Sequence, residues 1–225
     1  MTRRSTAQAA ARVRFGGMQT PNGYLFELTG GHLCLDLANT VDERGTDHQR
    51  ELLPRYEDLL DWGAQAGALA DAEAASLRNY AARHRAAAFN ALRRSARVRE
   101  ALFELFSAVA GRRNIPTDAF AVLNRVIREA FGNRCLKRQA GRFVWAWRRA
   151  EPPDLDRVLW PVVWSAAELL ISSDLDRVRQ CAGTGCAWLF IDTSKNRTRR
   201  WCDMSVCGNR AKARRYQARV KSRRR

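Results

Sequence analysis

The hydrophobic positions of this chain recur mostly at helical spacing, interrupted by a few short runs that alternate. Tyr24 to Leu28 (YLFEL) alternates and is β-prone, which predicts a short strand closed by Gly30 and Gly31. From His32 to Val41, Leu33, Asp36, Leu37 and Thr40 share one helical face, a short buried helix. Pro54 to Ala66 is amphipathic, with its proline near the first turn, where a missing N–H costs least. An Ala-rich helical region runs from Asp71 to about Arg112, with a break near Arg83–Ala87. In its second half Val98, Ala101, Leu102, Leu105 and Val109 give a core-facing stripe. Thr117 to Phe131 is a further helix that Thr117 would cap. Cys135 to Gln139 and Arg142 to Trp147 flank Ala140-Gly141, the two-residue turn of a β-hairpin. Asp154 to Ile171 is an apolar helix in which Pro161 marks a kink or the true start. The pattern predicts an α+β fold, mostly α: a helical N-terminal domain with one hairpin.

The pattern changes after a junction at Asp174 to Arg179. Val178 to Cys181 and Trp188 to Asp192 read as two short strands, with Gly183 and Gly185 supplying a tight turn between them. A polar loop, Thr193 to Arg200, leads to Cys202 and Cys207, and a helix is expected from about Arg210 to Lys221. Cys181, Cys186, Cys202 and Cys207 form two C-x4-C pairs separated by 15 residues. Two short-spaced thiol pairs can close a tetrahedral all-sulfur cage, and one structural Zn²⁺ is its usual occupant. Such metal binding contributes about 10–16 kcal/mol of apparent free energy, which is also folding energy for so small a module. Trp188, Phe190 and Trp201 are expected to pack behind the cage. The expected organisation is a disordered basic start at 1–22, a regulatory domain over 23–175, a small treble-clef-like zinc module over 176–220, and a basic tail at 221–225.

Charge sharpens this picture. The chain of 225 residues carries a formal net charge of +17. From Arg177 onward there are 15 Lys/Arg against 2 Asp/Glu, so the last fifth holds most of the excess. A basic block this dense attracts nucleic acid, anionic lipid or an acidic protein. No apolar run approaches the roughly 20 residues of a membrane span, and the Arg- and Ala-rich start lacks the apolar stretch of an export signal. A reducing cytosol is therefore expected, where short cysteine spacings favour metal over disulfides. Cys34 and Cys135 stand alone in apolar settings and read as core residues.

The last 45 residues resemble the CGNR zinc finger: Cys181-x4-Cys186, WLFIDTS at Trp188 to Ser194, Asn196-Arg197, Arg199-Arg200-Trp201-Cys202, and Cys207-Gly208-Asn209-Arg210 followed by Lys212 and Arg214. Gly30 to Thr46 (GGHLCLDLANTVDERGT) resembles the start of the ABATE domain, which precedes such fingers in that family. The resemblance implies a stress-linked transcriptional regulator. The residues agree with that without the family name. Arg210 and Arg214 share a face at i, i+4, with Lys212, Arg215 and Arg219 beside them. Arginines there can fork onto phosphate or onto guanine in a major groove. Arg197, Arg199 and Arg200 would reach adjacent phosphates. Asn209 reads as a helix cap or a partner to a cysteine sulfur, with base reading as the alternative.

No nucleotide-binding, hydrolase or metalloprotease motif occurs in the larger domain, so it is not expected to be an enzyme. His32 and Asp36 read as a cap or core hydrogen bond rather than an acid–base dyad. For a small-molecule effector, His32, Asp36, Asn39 and Arg44 are the candidate pocket residues, against the plainer reading that they staple the first helix to the core. Trp145, Trp147, Trp160 and Trp164 are expected to pack the hairpin on the last helix or to form an interface. The reading is a cytoplasmic, nucleoid-associated zinc protein that binds double-stranded DNA, with homodimerisation through the larger domain. RNA binding by the same finger, or a protein–protein adaptor, are the alternatives.

Overall fold

In the computed structural model, residues 16–21 and 23–223 are described. The first element is a strand that the periodicity did not announce: β1 (Gly17–Thr20) pairs antiparallel with β2 (Gly23–Phe26). The expectation of a disordered segment over 1–22 is therefore corrected for Gly17 to Thr20, and its residues 1–15 and 22 lie outside the described residues. Next come α1 (Leu33–Ala38), a two-residue ladder of β3 (Val41–Asp42) with β4 (Arg50–Glu51), and α2 (Tyr56–Gln65). Then follow α3 (Asp71–Arg83) and α4 (Arg85–Ala110), broken at His84, inside the expected window.

The helix α5 (Thr117–Phe131) begins after Pro116, whose fixed φ suits the flanking position, and Thr117 makes no capping bond. A hairpin of β5 (Arg134–Gln139) and β6 (Arg142–Trp147) turns at Ala140 and Gly141, both at positive φ as a type I′ turn requires. In α6 (Leu159–Ile171), Pro161 sits in the first turn, so it marks the start rather than a kink. The chain closes with the antiparallel pair β7 (Val178–Gln180) and β8 (Leu189–Ile191), then α7 (Asn209–Arg223).

The long helix α4 is the spine: α1, α2, α3 and α5 pack against it, and so do β7 and β8. Its buried stripe includes Ala91, Val98, Leu102, Leu105 and Phe106, meeting Leu35 and Leu37 of α1, Trp62 of α2 and Val162 of α6 in one core. Arg99, 5% exposed, is held from two sides by Glu51, at 2.6 and 2.7 Å, and by Glu100 at 3.0 Å. A buried cation without such partners would cost several kcal/mol. Cys34 lies in this core, where burial pushes its thiol up to about 12, so it stays neutral. Cys135, expected in the core, is only half-buried because the hairpin stands out from the helices. Among the described residues no helix is long and apolar enough to cross a membrane.

The fold makes one pH-dependent statement. Burial pushes the Asp36 carboxyl up to about 6, partly offset by the Gly30 N–H that it accepts at 2.8 Å. In the unfolded chain that group ionises near 4, so between about 4 and 6 the folded state holds more protons and stability falls as pH rises. Asp36→Asn keeps the acceptor oxygen and loses the titration. Relative to the parent protein it is expected to gain stability between pH 5 and pH 7, measured by urea unfolding at both pH values.

Candidate metal centre and nucleic-acid interface

The four cysteines come from two local structures. Cys181 and Cys186 sit in the turn between β7 and β8, while Cys202 precedes and Cys207 lies within a single π turn, Met204–Gly208, that runs into α7. All four sulfurs lie within 4.8 Å of one another and all four residues are buried. Cys202 Sγ is 3.6 Å from both Cys186 Sγ and Cys207 Sγ. Sulfurs about 2.3 Å from a tetrahedral zinc stand about 3.8 Å apart, so the set fits one such ion. None of the four is in a disulfide.

The backbone around the sulfurs suits thiolate. Gly183 N–H donates to Cys181 Sγ at 3.3 Å, and Cys202 N–H donates to the same sulfur at 3.4 Å. Hydrogen bonds from the other three thiols push Cys181 well below its usual range, whereas those to Cys181 push Cys186 and Cys202 up. A cation in the centre is what allows all four to ionise together. Gly183 is required for closeness: a Cβ there would stand 3.1 Å from Cys207 Sγ and 3.3 Å from Cys181 Sγ. Behind the cage lie Trp188 and Phe190, with Trp201 and Val206 partly buried against them.

The module is not a separate bead on a linker. Along β8 the side chains alternate between two cores: Leu189 and Ile191 join the helical core, and Phe190 joins the cage cluster. Asn39, just after α1, acts as a surrogate strand. Its Nδ2 donates to Leu189 O at 2.8 Å, and its Oδ1 accepts from Leu189 N at 2.8 Å. Trp188 Nε1 donates to Val41 O at 3.2 Å, Ile191 N to Gly30 O at 2.9 Å, and Ser107 Oγ on α4 to Gln180 Oε1 at 3.2 Å. Gly30 itself packs directly on α1, since a Cβ there would meet Asp36 N at 2.9 Å.

Two comparisons decide what this arrangement is. The family model ABATE, described as "Putative stress-induced transcription regulator", matches residues 31–173, and the model for the CGNR zinc finger matches 177–220. The chain belongs to the ABATE family. Its C-terminal module is a CGNR zinc finger, and the four cysteines are a site for one zinc ion. No curated protein matches the chain.

The basic residues around the CGNR finger take different positions. Arg197 and Arg200 are exposed on the loop, Arg200 lying 5.6 Å over the Trp201 ring. Arg199 instead turns inward: its Nε donates to Trp201 O at 2.9 Å, its Nη2 to Cys202 O, and its guanidinium stacks 4.4 Å over Phe190. Asp192, fully buried, holds the same loop, accepting from Ser194 N at 2.9 Å and Arg199 N at 3.0 Å. Arg210, Lys212, Arg214, Arg215 and Arg219 are exposed on α7. Asn209 neither caps that helix nor meets a sulfur; its Nδ2 donates to Ser205 O at 2.9 Å. The cap is Asp203, which accepts from Val206 N at 2.9 Å. A carboxylate directly after a cysteine was the available sequence signal for it.

In the ABATE domain, three of the four suggested pocket residues are engaged within the fold rather than gathered around a cavity. Asp36 binds Gly30 N and Asn39 binds Leu189. Arg44 pairs with Glu100 and lies 4.0 Å over the Phe103 ring, and His32 precedes α1 without a side-chain capping bond. A cleft of about 350 Å³ opens elsewhere, between α3, the base of the hairpin and α6, lined among others by Glu73, Leu77, Trp147, Arg149, Arg157 and Trp160.

Two outcomes are expected of this site. Cys202→Ser should reduce bound zinc from one per chain to near zero by atomic absorption and unfold the finger, while the helical signal of α2 to α6 persists. Asn39→Ala should keep zinc but lower stability by about 2–4 kcal/mol in urea, because two buried backbone groups of Leu189 lose their partner.

Proposed function

We propose that the protein is a DNA-binding regulator, not an enzyme, in which the CGNR finger presents α7 to a duplex. The observation that carries this reading is α7 itself. Every residue from Lys212 to Arg219 is exposed, and the helix contains no Asp or Glu. At about 100° per residue, Arg210, Arg214 and Lys221 fall along one rail. Lys212, Arg215 and Arg219 fall along another, roughly 150° around the helix. Ala211, Ala218 and Ser222 lie in the narrow gap between the rails. Ala213, Tyr216, Gln217 and Val220 lie in the wide one. A helix in a major groove needs charge toward both phosphate walls and an unobtrusive strip toward the base edges. Arg197 and Arg200 add loop contacts. Trp201 packs against the cage cluster rather than standing free as a stacking platform, which favours duplex over single-stranded RNA.

Phosphate contacts alone choose no sequence, so pairing of two copies through the ABATE domain, setting two α7 helices on two half-sites, belongs to the same proposal. So does an effector for the ABATE domain, for which the cleft at Trp147 and Trp160 is the available concavity. A nucleoid-associated, cytoplasmic protein follows from this reading. About six phosphate contacts give a log–log salt slope near −5 for duplex binding. Arg214→Ala/Arg219→Ala, one residue from each rail, is expected to reduce that slope by about two and weaken all sequences alike, measured by fluorescence anisotropy of the zinc-loaded protein. An unchanged slope would remove α7 from the interface. Equal loss on structured RNA would move the reading to RNA, and no salt-sensitive binding at all would leave the adaptor.

A further inference from the structure

The ABATE domain has a charge pattern of its own. Between Asn133 and Arg149 there are six Lys/Arg and no Asp/Glu. The other described residues up to 176 hold 15 Lys/Arg against 21 Asp/Glu, so the domain is acidic except at the β5–β6 hairpin. The hairpin is also where large apolar side chains stand in solvent: Phe143 is 75% exposed, and Trp145 and Leu136 are each 59% exposed. These belong to one face. Directly opposed residues share a face, and the pairs are Arg134 with Trp147, Leu136 with Trp145, and Arg138 with Phe143.

The base of that face is anchored. Arg134 lies 3.7 Å over the Trp164 ring and 4.4 Å over Trp147, and Trp147 meets Trp160 with ring centroids 6.0 Å apart. Trp145 reaches that base, 5.4 Å from the Arg134 guanidinium and 6.4 Å from the Trp164 ring, and beyond it Arg138 on this face and Lys137 and Arg142 on the opposite face have no ion-pair partner among the described residues. The result is a rigidly mounted ribbon of open aromatic rings and unneutralised cations.

We infer that this hairpin is a second nucleic-acid site, taking a single-stranded segment whose bases stack on Phe143 and Trp145 while Arg138, on the same face, holds its phosphates. Exposed rings beside a run of like positive charge are the two components of sequence-tolerant single-strand binding. A symmetric contact between two hairpins would bring eight cations together with no carboxylate on either ribbon. Insertion into a lipid surface would want an apolar tip, and this tip is Gln139-Ala140-Gly141-Arg142. The inference stands apart from the reading of α7, since it uses different residues, a different domain and a different ligand form.

The test uses full-length zinc-loaded protein and a labelled oligo-dT of 20 nucleotides. Phe143→Ala/Trp145→Ala is expected to weaken oligo-dT binding at least about ten-fold and to change duplex binding less than about two-fold. The α7 variant above should show the opposite preference. Arg138→Glu, a single exposed change, should weaken oligo-dT binding on its own with an unaltered thermal melt, which separates lost contact from lost fold. Oligo-dT affinity that is undetectable, or indifferent to these changes, would overturn the inference. So would changes whose sole effect is on sedimentation with anionic vesicles or on oligomeric state.

Discussion

Four sulfur atoms within 4.8 Å of one another set the terms for everything after Arg177. Their packing places the turn after β7, the π turn before α7 and the loop between them against a single point. The surrounding apolar cluster is only a few side chains, too small to order some 45 residues without the metal–thiolate bonds. The start and direction of α7 follow from that point, because Cys207 lies in the turn that leads into it and Asp203 closes the same turn. The position of every basic side chain on the helix is thus inherited from the cage.

The cage in turn is tied to the larger domain by β8, whose residues face alternately into both cores. The Asn39 amide completes that strand from the far side, with both of its atoms bound to Leu189. Two buried hydrogen bonds on one amide make a contact of fixed geometry, because rotation of the side chain would break both at once. Any rearrangement around α1 would be felt by the strand next to the metal site. Net charge divides along similar lines: an acidic helical body carries two strongly basic projections, the hairpin and the finger with its helix.

What was legible in the sequence was what local chemistry decides. The cysteine spacing, the Ala140-Gly141 turn and the break between α3 and α4 near His84 need no distant partner. The apolar stripe of α4 shows directly because the helix is buried along one side for most of its length. By contrast, β1 was hidden because four residues without an apolar alternation become a strand only by pairing with β2. The role of Asn39 depends on Leu189, 150 residues away. Its signal was a polar amide inside the apolar run HLCLDLANTV, where a buried donor and acceptor must find partners. The cap was misassigned to Asn209 because one extra π turn moves the helix entry back to Asp203. Arg199 looked like its neighbours in a basic loop; only the fold distinguishes it as a brace across the cage carbonyls.

The most direct test of this account is hydrogen exchange on the full chain with zinc and after chelation. The account predicts that amides of β8, of residues 202–209 and of α7 lose protection together. The Ile191 amide should lose its bond to Gly30, while amides in the centres of α2, α4 and α6 stay protected. Unchanged protection of β8 without metal would contradict the claim that the cage holds the finger. A collapse of protection through α4 and α6 would show instead that metal and helical core form one inseparable folding unit.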